Sequence, residues 1–323
     1  DSVNYQFEPA IQALNQPRQR ILMADAVGLG KTLEAGILVS ELIKRGKGKR
    51  ILVLAVKSML TQFQKEFWNR FSIPLTRLDS QGIQKVRNKI PANMNPFFYY
   101  DKSIISIDTL KQEALYRSYI EEAYWDIIII DEAHNVADRN SGSQKSKLAK
   151  LISSRCDTLV MLSATPHDGS AKSFASLLNM LDPTAIANPN DYSADDFKDK
   201  GLVIRRFKKD IADQVKDEFK TRQIFTIKSN ASIYEEEVFH FISNINFKTI
   251  DSNKRKGSEL FKTTLIKSLL SSPIACIESI KNRIKKIENL EDDYSDDIDT
   301  LELLLEKLET VDVNSFSKYQ ELV

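Results

Sequence analysis

The sequence predicts an α/β fold: a parallel sheet flanked by helices, followed by a mostly α-helical extension. Three observations carry this expectation. Short apolar runs at 21–24, 51–55, 104–107, 127–130 and 158–162 alternate with segments of helical period near 32–45, 58–71 and 170–181. Residues 127–130 are four consecutive isoleucines, the pattern of a strand buried on both faces, as in a parallel sheet. Beyond about Pro183 the alternation ends. Apolar residues then recur at helical spacing, at Leu260, Phe261, Thr264, Leu265 and Leu269 and at Leu301, Leu304, Leu305 and Leu308.

The first strand, 21–24, runs into Asp25-Ala-Val-Gly-Leu-Gly-Lys-Thr32 and then into a helix. Strand, glycine-rich loop and helix in this order form a phosphate cradle, because glycines let backbone N–H groups approach an anion at a helix N-terminus. Gly28 and Gly30 supply the close approach, with Val27 and Leu29 between and beside them. Lys31 supplies an ammonium group and Thr32 a hydroxyl for Mg²⁺. The usual form of such a loop has glycine at the position of Asp25.

The strand at 127–130 ends in Asp131-Glu132-Ala133-His134. Two carboxylates at a strand end are costly unless a cation sits beside them, and nucleotide-bound Mg²⁺ is such a cation. Asp131 then holds the metal and Glu132 polarises the attacking water. His134 either couples this site to a neighbouring motif or caps a turn. The strand at 158–162 runs into Ser163-Ala164-Thr165-Pro166-His167, whose hydroxyls suit relaying nucleotide state rather than hydrolysis. All three segments follow strands, where ligand sites of open parallel sheets form.

In this order the three segments resemble superfamily-two helicase-like ATPases of the Swi/Snf type, within them the bacterial HepA/RapA-like branch. Leu33-Glu34-Ala35-Gly36, Ile104 to Leu110, Val203 to Lys208 and Ser271 to Ala275 agree with it, so the resemblance spans from about Tyr5 to the C-terminus. It implies a RecA-like first lobe, ATP with Mg²⁺ as cofactors, and a DNA-dependent ATPase that moves on double-stranded DNA. It also implies that Gln12 or Gln6 reads adenine. Lys57, Ser58, Gln62, Ser106, Thr109, Arg205 and Arg206 become the expected nucleic-acid contacts. The sequence departs from the family's pattern at Ala26, where an acid is usual, and at 55–60, which lacks the usual proline.

Motors of this family have two RecA-like lobes, the second bringing arginine fingers. After Thr165 only Arg222 to Ile227 has strand character, and Ser317 to Leu322 looks like the opening of a second lobe. The expected organisation is therefore a first lobe at 1–187, a linker and helical extension at 188–315, and the start of a second lobe at 316–323. On this expectation the chain binds ATP but turns it over negligibly alone. A nucleotide-binding interaction module of a larger complex, or an RNA-directed member of the superfamily, are the alternatives. Transcription and anti-phage defence complexes are the expected settings.

Composition sets the remaining bounds. The 323 residues are 42% hydrophobic, enough for one large or two moderate domains, and the formal net charge is +1. No global basic signature marks a nucleic-acid binder. Lys44 to Arg50 reads as a solvated basic turn, Arg205 to Lys209 as a basic run that suits DNA, and the acidic stretch Glu288 to Asp299 as a solvated link. Two distant cysteines and three histidines give neither a disulfide framework nor zinc-ligand spacing. With no signal segment and no apolar run near membrane-spanning length, a cytoplasmic protein without membrane contact is expected.

Overall fold

In the computed structural model, the described residues are 3–110, 114–138, 143–165, 169–214, 225–245, 247, 255–288 and 294–322. The chain divides into two compact units, residues 1–220 and 221–323.

The first unit runs α1 (Glu8–Leu14), β1 (Arg20–Met23), α2 (Lys31–Lys44), β2 (Ile51–Ala55), α3 (Leu60–Phe71), β3 (Thr76–Arg77), α4 (Ser80–Arg87), β4 (Lys102–Ser106), α5 (Ile107–Leu110), α6 (Ala114–Glu122), β5 (Trp125–Ile130), α7 (Gln144–Ser153), β6 (Cys156–Leu162), α8 (Ala171–Leu181) and β7 (Val203–Ile204). Among the described residues the strands form one sheet in the order β3-β4-β2-β5-β6-β1-β7, every pair parallel. Parallel strands need a crossover between them, which the intervening helices supply. The expected α/β class and its five longer strands stand.

Alternate residues along each strand serve two cores. Leu22, Leu52, Leu54, Ile128, Ile130, Leu159 and Met161 face one layer, with Ile83, Ile120, Ile152 and Leu178 packed there. Ile21, Met23, Val53, Ile127, Ile129 and Val160 face the other, against Ala13, Leu38, Leu42, Phe63 and Phe67. The all-apolar run of isoleucines follows from this: a strand covered on both sides has no polar face.

The sheet also explains where the sequence-based boundary at 187 moves. Leu22 and Ala24 donate to the carbonyls of Leu202 and Ile204, so β7 completes the sheet beyond the polar stretch 188–200. The boundary between the two compact units falls after residue 220. The basic turn at 44–50 does sit at the strand end opposite the motifs, joining the C-terminus of α2 to the start of β2.

The second unit contains α9 (Ile233–Asn244), α10 (Arg255–Ser271), α11 (Pro273–Ile287), α12 (Ser295–Glu309) and α13 (Ser317–Gln320). Pro273 opens α11 straight after α10 ends, as a proline at a first helical position can. Val238, Ile242, Leu265, Leu269, Cys276, Ile280, Leu301, Leu304 and Leu308 form its core. Leu260, expected in the stripe, is 68% exposed.

Three expectations change in this unit. Residues 222–224 of the expected strand lie outside the described residues, and 225–227 take no regular structure. The acidic stretch is not wholly a link, since Asp296 and Asp297 form the first turn of α12, where carboxylates complement the helix dipole. Ser317, in the segment expected to open a second lobe, donates from its N–H and hydroxyl to Glu235, each at 3.1 Å, and so joins the helical unit.

One packing contact gives a test. A Cβ on Gly36 of α2 would lie 2.0 Å from the Phe71 ring. Gly36→Ala gains about 1 kcal/mol of helix propensity, while displacing a packed ring costs about 1–3 kcal/mol. A net loss of stability is expected in urea unfolding, and a gain would contradict this packing.

Candidate functional site

The loop after β1 is shaped by two glycines in the left-handed region, Gly28 at φ +89° and Gly30 at +93°. Gly30 is the residue before α2, so the helix N-terminus opens onto the loop. A Cβ on Gly30 would stand 3.0 Å from Gln6 Nε2, which places Gln6 against the loop. Lys31 folds its ammonium back onto the carbonyls of Asp25, at 2.9 Å, and Ala26, at 3.4 Å. Thr32 follows in the first turn. Val27 is 74% exposed at the crest, while Leu29 is fully buried against Tyr5 and Ile211. Tyr5 donates its hydroxyl to the Leu29 carbonyl at 2.9 Å.

Beneath the loop lies an ion cluster. Asp25, expected to help hold the nucleotide, turns its fully buried carboxylate away to Arg206, accepting from its backbone N–H (2.7 Å), its Nε (3.0 Å) and its Nη2. Arg206 also donates to Glu34 at 2.7 Å, to Glu8 at 2.8 Å and to the Tyr5 carbonyl. Arg206 is thus buried, and its expected role as a nucleic-acid contact is corrected: its donors hold the loop from behind. Burial lowers its pKa, but its hydrogen bonds to Asp25 and the charges of Glu34 and Asp25 more than offset this and raise it. Burial, then the neighbouring Asp25 charge, push Glu34 up to about 8.

Gln12 is corrected too. Its Nε2 donates to the carbonyls of Gly201 (2.7 Å) and Val203 (3.1 Å), anchoring β7 instead of facing the loop. Of the two glutamines weighed for adenine, Gln6 is the one beside the loop.

β6, which pairs with β1, and β5 beyond it deliver the other motifs. Burial, then the adjacent Glu132 charge, push Asp131 up to about 6. A carboxylate so placed calls for a cation, and with Thr32 it fits Mg²⁺; the two positive-φ glycines and Lys31 likewise fit the phosphates of ATP. Glu132 takes φ +48°, an uncommon conformation for a residue with a side chain, stored at a site as strain often is. Its carboxylate lies 3.2 Å from His134 Nδ1, and the same nitrogen lies 3.1 Å from Ser163 Oγ. His134 therefore bridges Glu132 to the fully buried Ser163, whose N–H is bound to the Met23 carbonyl at 3.0 Å. Ala164 and Thr165 follow, Thr165 exposed; Pro166 and His167 lie outside the described residues.

The expected nucleic-acid contacts divide. Ala55 of β2 pairs in register with Ser106 of β4, so the segments bearing Lys57, Ser58 and Gln62 and those bearing Ser106 and Thr109 leave adjacent strand ends. Lys57, Ser58 and Gln62 are exposed. Ser106 is buried, its hydroxyl 2.8 Å from that of Thr109 and accepting the Thr109 N–H at 3.1 Å, so it shapes the start of α5. Arg205 points outward, its guanidinium over the Phe207 ring at 5.0 Å. Sequence reasoning missed Tyr5, Glu8 and Glu34 as partners of Arg206. The signal available was an acid, Glu34, inside the apolar run Leu33 to Leu38.

A family model described as "SNF2-related domain" matches residues 11–279. RNA polymerase-associated protein RapA of Serratia proteamaculans is 26% identical over 197 residues, covering 61% of this chain and 20% of the relative. The uncharacterized ATP-dependent helicase YqhH of Bacillus subtilis is 26% identical over 322 residues, covering 96% of the chain and 53% of the relative. The chain thus spans between a fifth and about half of these relatives' lengths. Two solved structures share the fold. The Sulfolobus solfataricus SWI2/SNF2 ATPase core in complex with dsDNA has a TM-score of 0.52 at 20% identity, covering 83% of this chain and 58% of that one. The Pyrococcus furiosus Hef helicase domain has a TM-score of 0.51 at 15% identity, covering 99% and 71%. Among the described residues no helix is long and apolar enough to cross a membrane.

Both raised acids bind protons more tightly folded than unfolded, so each costs stability as pH rises through its folded value. In metal-free, nucleotide-free buffer, stability is expected to fall up to about pH 6 for Asp131 and about pH 8 for Glu34. Asp131→Asn and Glu34→Gln carry the neutral form and should each flatten their part of the decline. Asp131→Asn should gain on the order of 1–2 kcal/mol near neutral pH, after allowing for solvent screening. Urea unfolding across pH checks this; an unchanged decline in both variants would contradict it.

Proposed function

We propose that this chain, which belongs to the SNF2-related domain family in its RapA-like branch, is the ATP-binding lobe of an enzyme that couples ATP hydrolysis to movement along duplex DNA. The observation that carries this reading is the convergence of the Gly28–Thr32 loop, Asp131 with Glu132, and the His134–Ser163 bridge at the C-terminal ends of three adjacent parallel strands.

The backbone N–H groups at Gly28 to Lys31 and the Lys31 ammonium hold the nucleotide's phosphates, with Gln6 beside them placed to read the base. Thr32 and Asp131 would hold Mg²⁺, which would neutralise phosphate charge. Glu132 orients the attacking water and accepts its proton. His134 ties that carboxylate to Ser163, so a change at Glu132 is felt at the segment after β6. Lys57, Ser58 and Gln62, exposed beside the end of β4, are the favoured contacts to the DNA backbone, joined by Thr109 and Arg205.

Arginine fingers contribute roughly 10³ to 10⁵ in rate to phosphoryl transfer. Arg206, the arginine behind the loop, is committed to Asp25, Glu8 and Glu34. We therefore assign the fingers to a second RecA-like lobe, on the same polypeptide or a partner, and expect negligible turnover from residues 1–323 alone. The name of the RapA relatives supports a transcription complex as the setting, in the cytoplasm.

Phosphate release by the whole protein is the test, with duplex DNA, single strands and RNA compared. Duplex DNA should stimulate it most, and Lys31→Ala should remove nearly all of it. Release unaffected by Lys31→Ala would leave an interaction module, and strongest stimulation by RNA an RNA-directed enzyme. Residues 1–323 alone should bind MgATP with a Kd of ~0.1–1 mM, about 4–5.5 kcal/mol. Fast hydrolysis by residues 1–323 would contradict the need for a second lobe.

A further inference from the structure

Residues 206–214 close over the back of the phosphate loop at three points. At the first, Ala26 donates its N–H to the Arg206 carbonyl at 3.0 Å, and the Arg206 side chain grips Asp25 and Glu34. At the second, a Cβ on Gly28 would come 4.0 Å from Lys208 Nζ. At the third, Ile211 packs on Leu29 and Tyr5, and Gln214 Oε1 accepts the Tyr5 N–H at 3.0 Å. Beyond Gln214 the sequence leads into the second unit, which begins at Thr221.

Asp25 is the joint between the two sides. Its carbonyl holds the Lys31 ammonium, and its carboxylate holds Arg206. A phosphate in the loop competes for that ammonium and draws it off the carbonyls of Asp25 and Ala26. Asp25 and Ala26 are also the residues whose carboxylate and N–H engage Arg206, so a phosphate that orders the loop orders 206–214 with it. The planar guanidinium reaches Asp25, Glu34, Glu8 and the Tyr5 carbonyl together; a lysine ammonium has the charge but not the fork.

We propose that residues 206–214 form a strap that responds to the occupancy of the phosphate loop, and that Arg206 is the positioning residue that couples the strap to the loop. This rests on the reading of the loop as the nucleotide site. The strap is distinct from the His134–Ser163 bridge, which leaves from β5 and β6.

Hydrogen exchange of the 323-residue chain with and without MgATP tests it. In the unaltered chain MgATP should slow amide exchange about tenfold or more at 25–34 and also at 206–214. Arg206→Lys, which leaves the buried acids a cation, should keep the effect at 25–34 and lose it at 206–214. Ile211→Ala provides a second variant that spares the ion cluster; it should keep the loop effect and lose the effect over 208–214. Strap protection equal to the unaltered chain in either folded variant would overturn the proposal. Absence of protection at 25–34 in the unaltered chain would overturn the nucleotide reading and the strap together.

Discussion

The Arg206 guanidinium, set among Asp25, Glu34 and Glu8, is the interaction on which the site's shape depends. Asp25 and Glu34 are both fully buried, and the Asp25 carboxylate without a cation would be untenable there. Removing one partner of such a buried cluster typically costs about 3–5 kcal/mol, because the charges left behind lose their compensation. The cluster also fixes direction. With its carboxylate drawn inward, Asp25 leaves its carbonyl to Lys31, and the loop's glycines turn outward over the helix N-terminus.

The sheet supplies the rest of the arrangement. Because β1, β5 and β6 are neighbours and run parallel, their C-terminal ends bring residues more than 130 positions apart into one site, as the Met23 carbonyl and Ser163 N–H show. The two apolar layers make those ends rigid. Burial at the same ends perturbs Asp131, and the strained backbone at Glu132 aims its carboxylate at His134. The same features that cost stability are those a metal and a nucleotide would relieve.

Much of this was legible in the sequence. Long strands announce themselves, since 127–130 can only be a strand covered on both faces, and each motif sits where such a strand ends. β3 and β7 were not legible, because two residues carry no period and their pairing depends on partners far away. Arg205-Arg206-Phe207-Lys208-Lys209 reads as a basic run, yet backbone alternation beside β1 sends Arg205 to solvent and Arg206 inward. Composition has no access to that alternation. Gln12 failed as an adenine reader for a related reason: the carbonyls of Gly201 and Val203 that hold it come from a strand the sequence did not reveal.

A crystal structure of this chain with Mg²⁺ and a non-hydrolysable ATP analogue tests the central claim most directly. The account predicts phosphates within hydrogen-bond reach of the Gly28 to Thr32 N–H groups, Lys31 moved from the Asp25 carbonyl onto them, and the metal between Thr32 and Asp131. Phosphates bound elsewhere, with Lys31 still on Asp25 and Ala26, would contradict it.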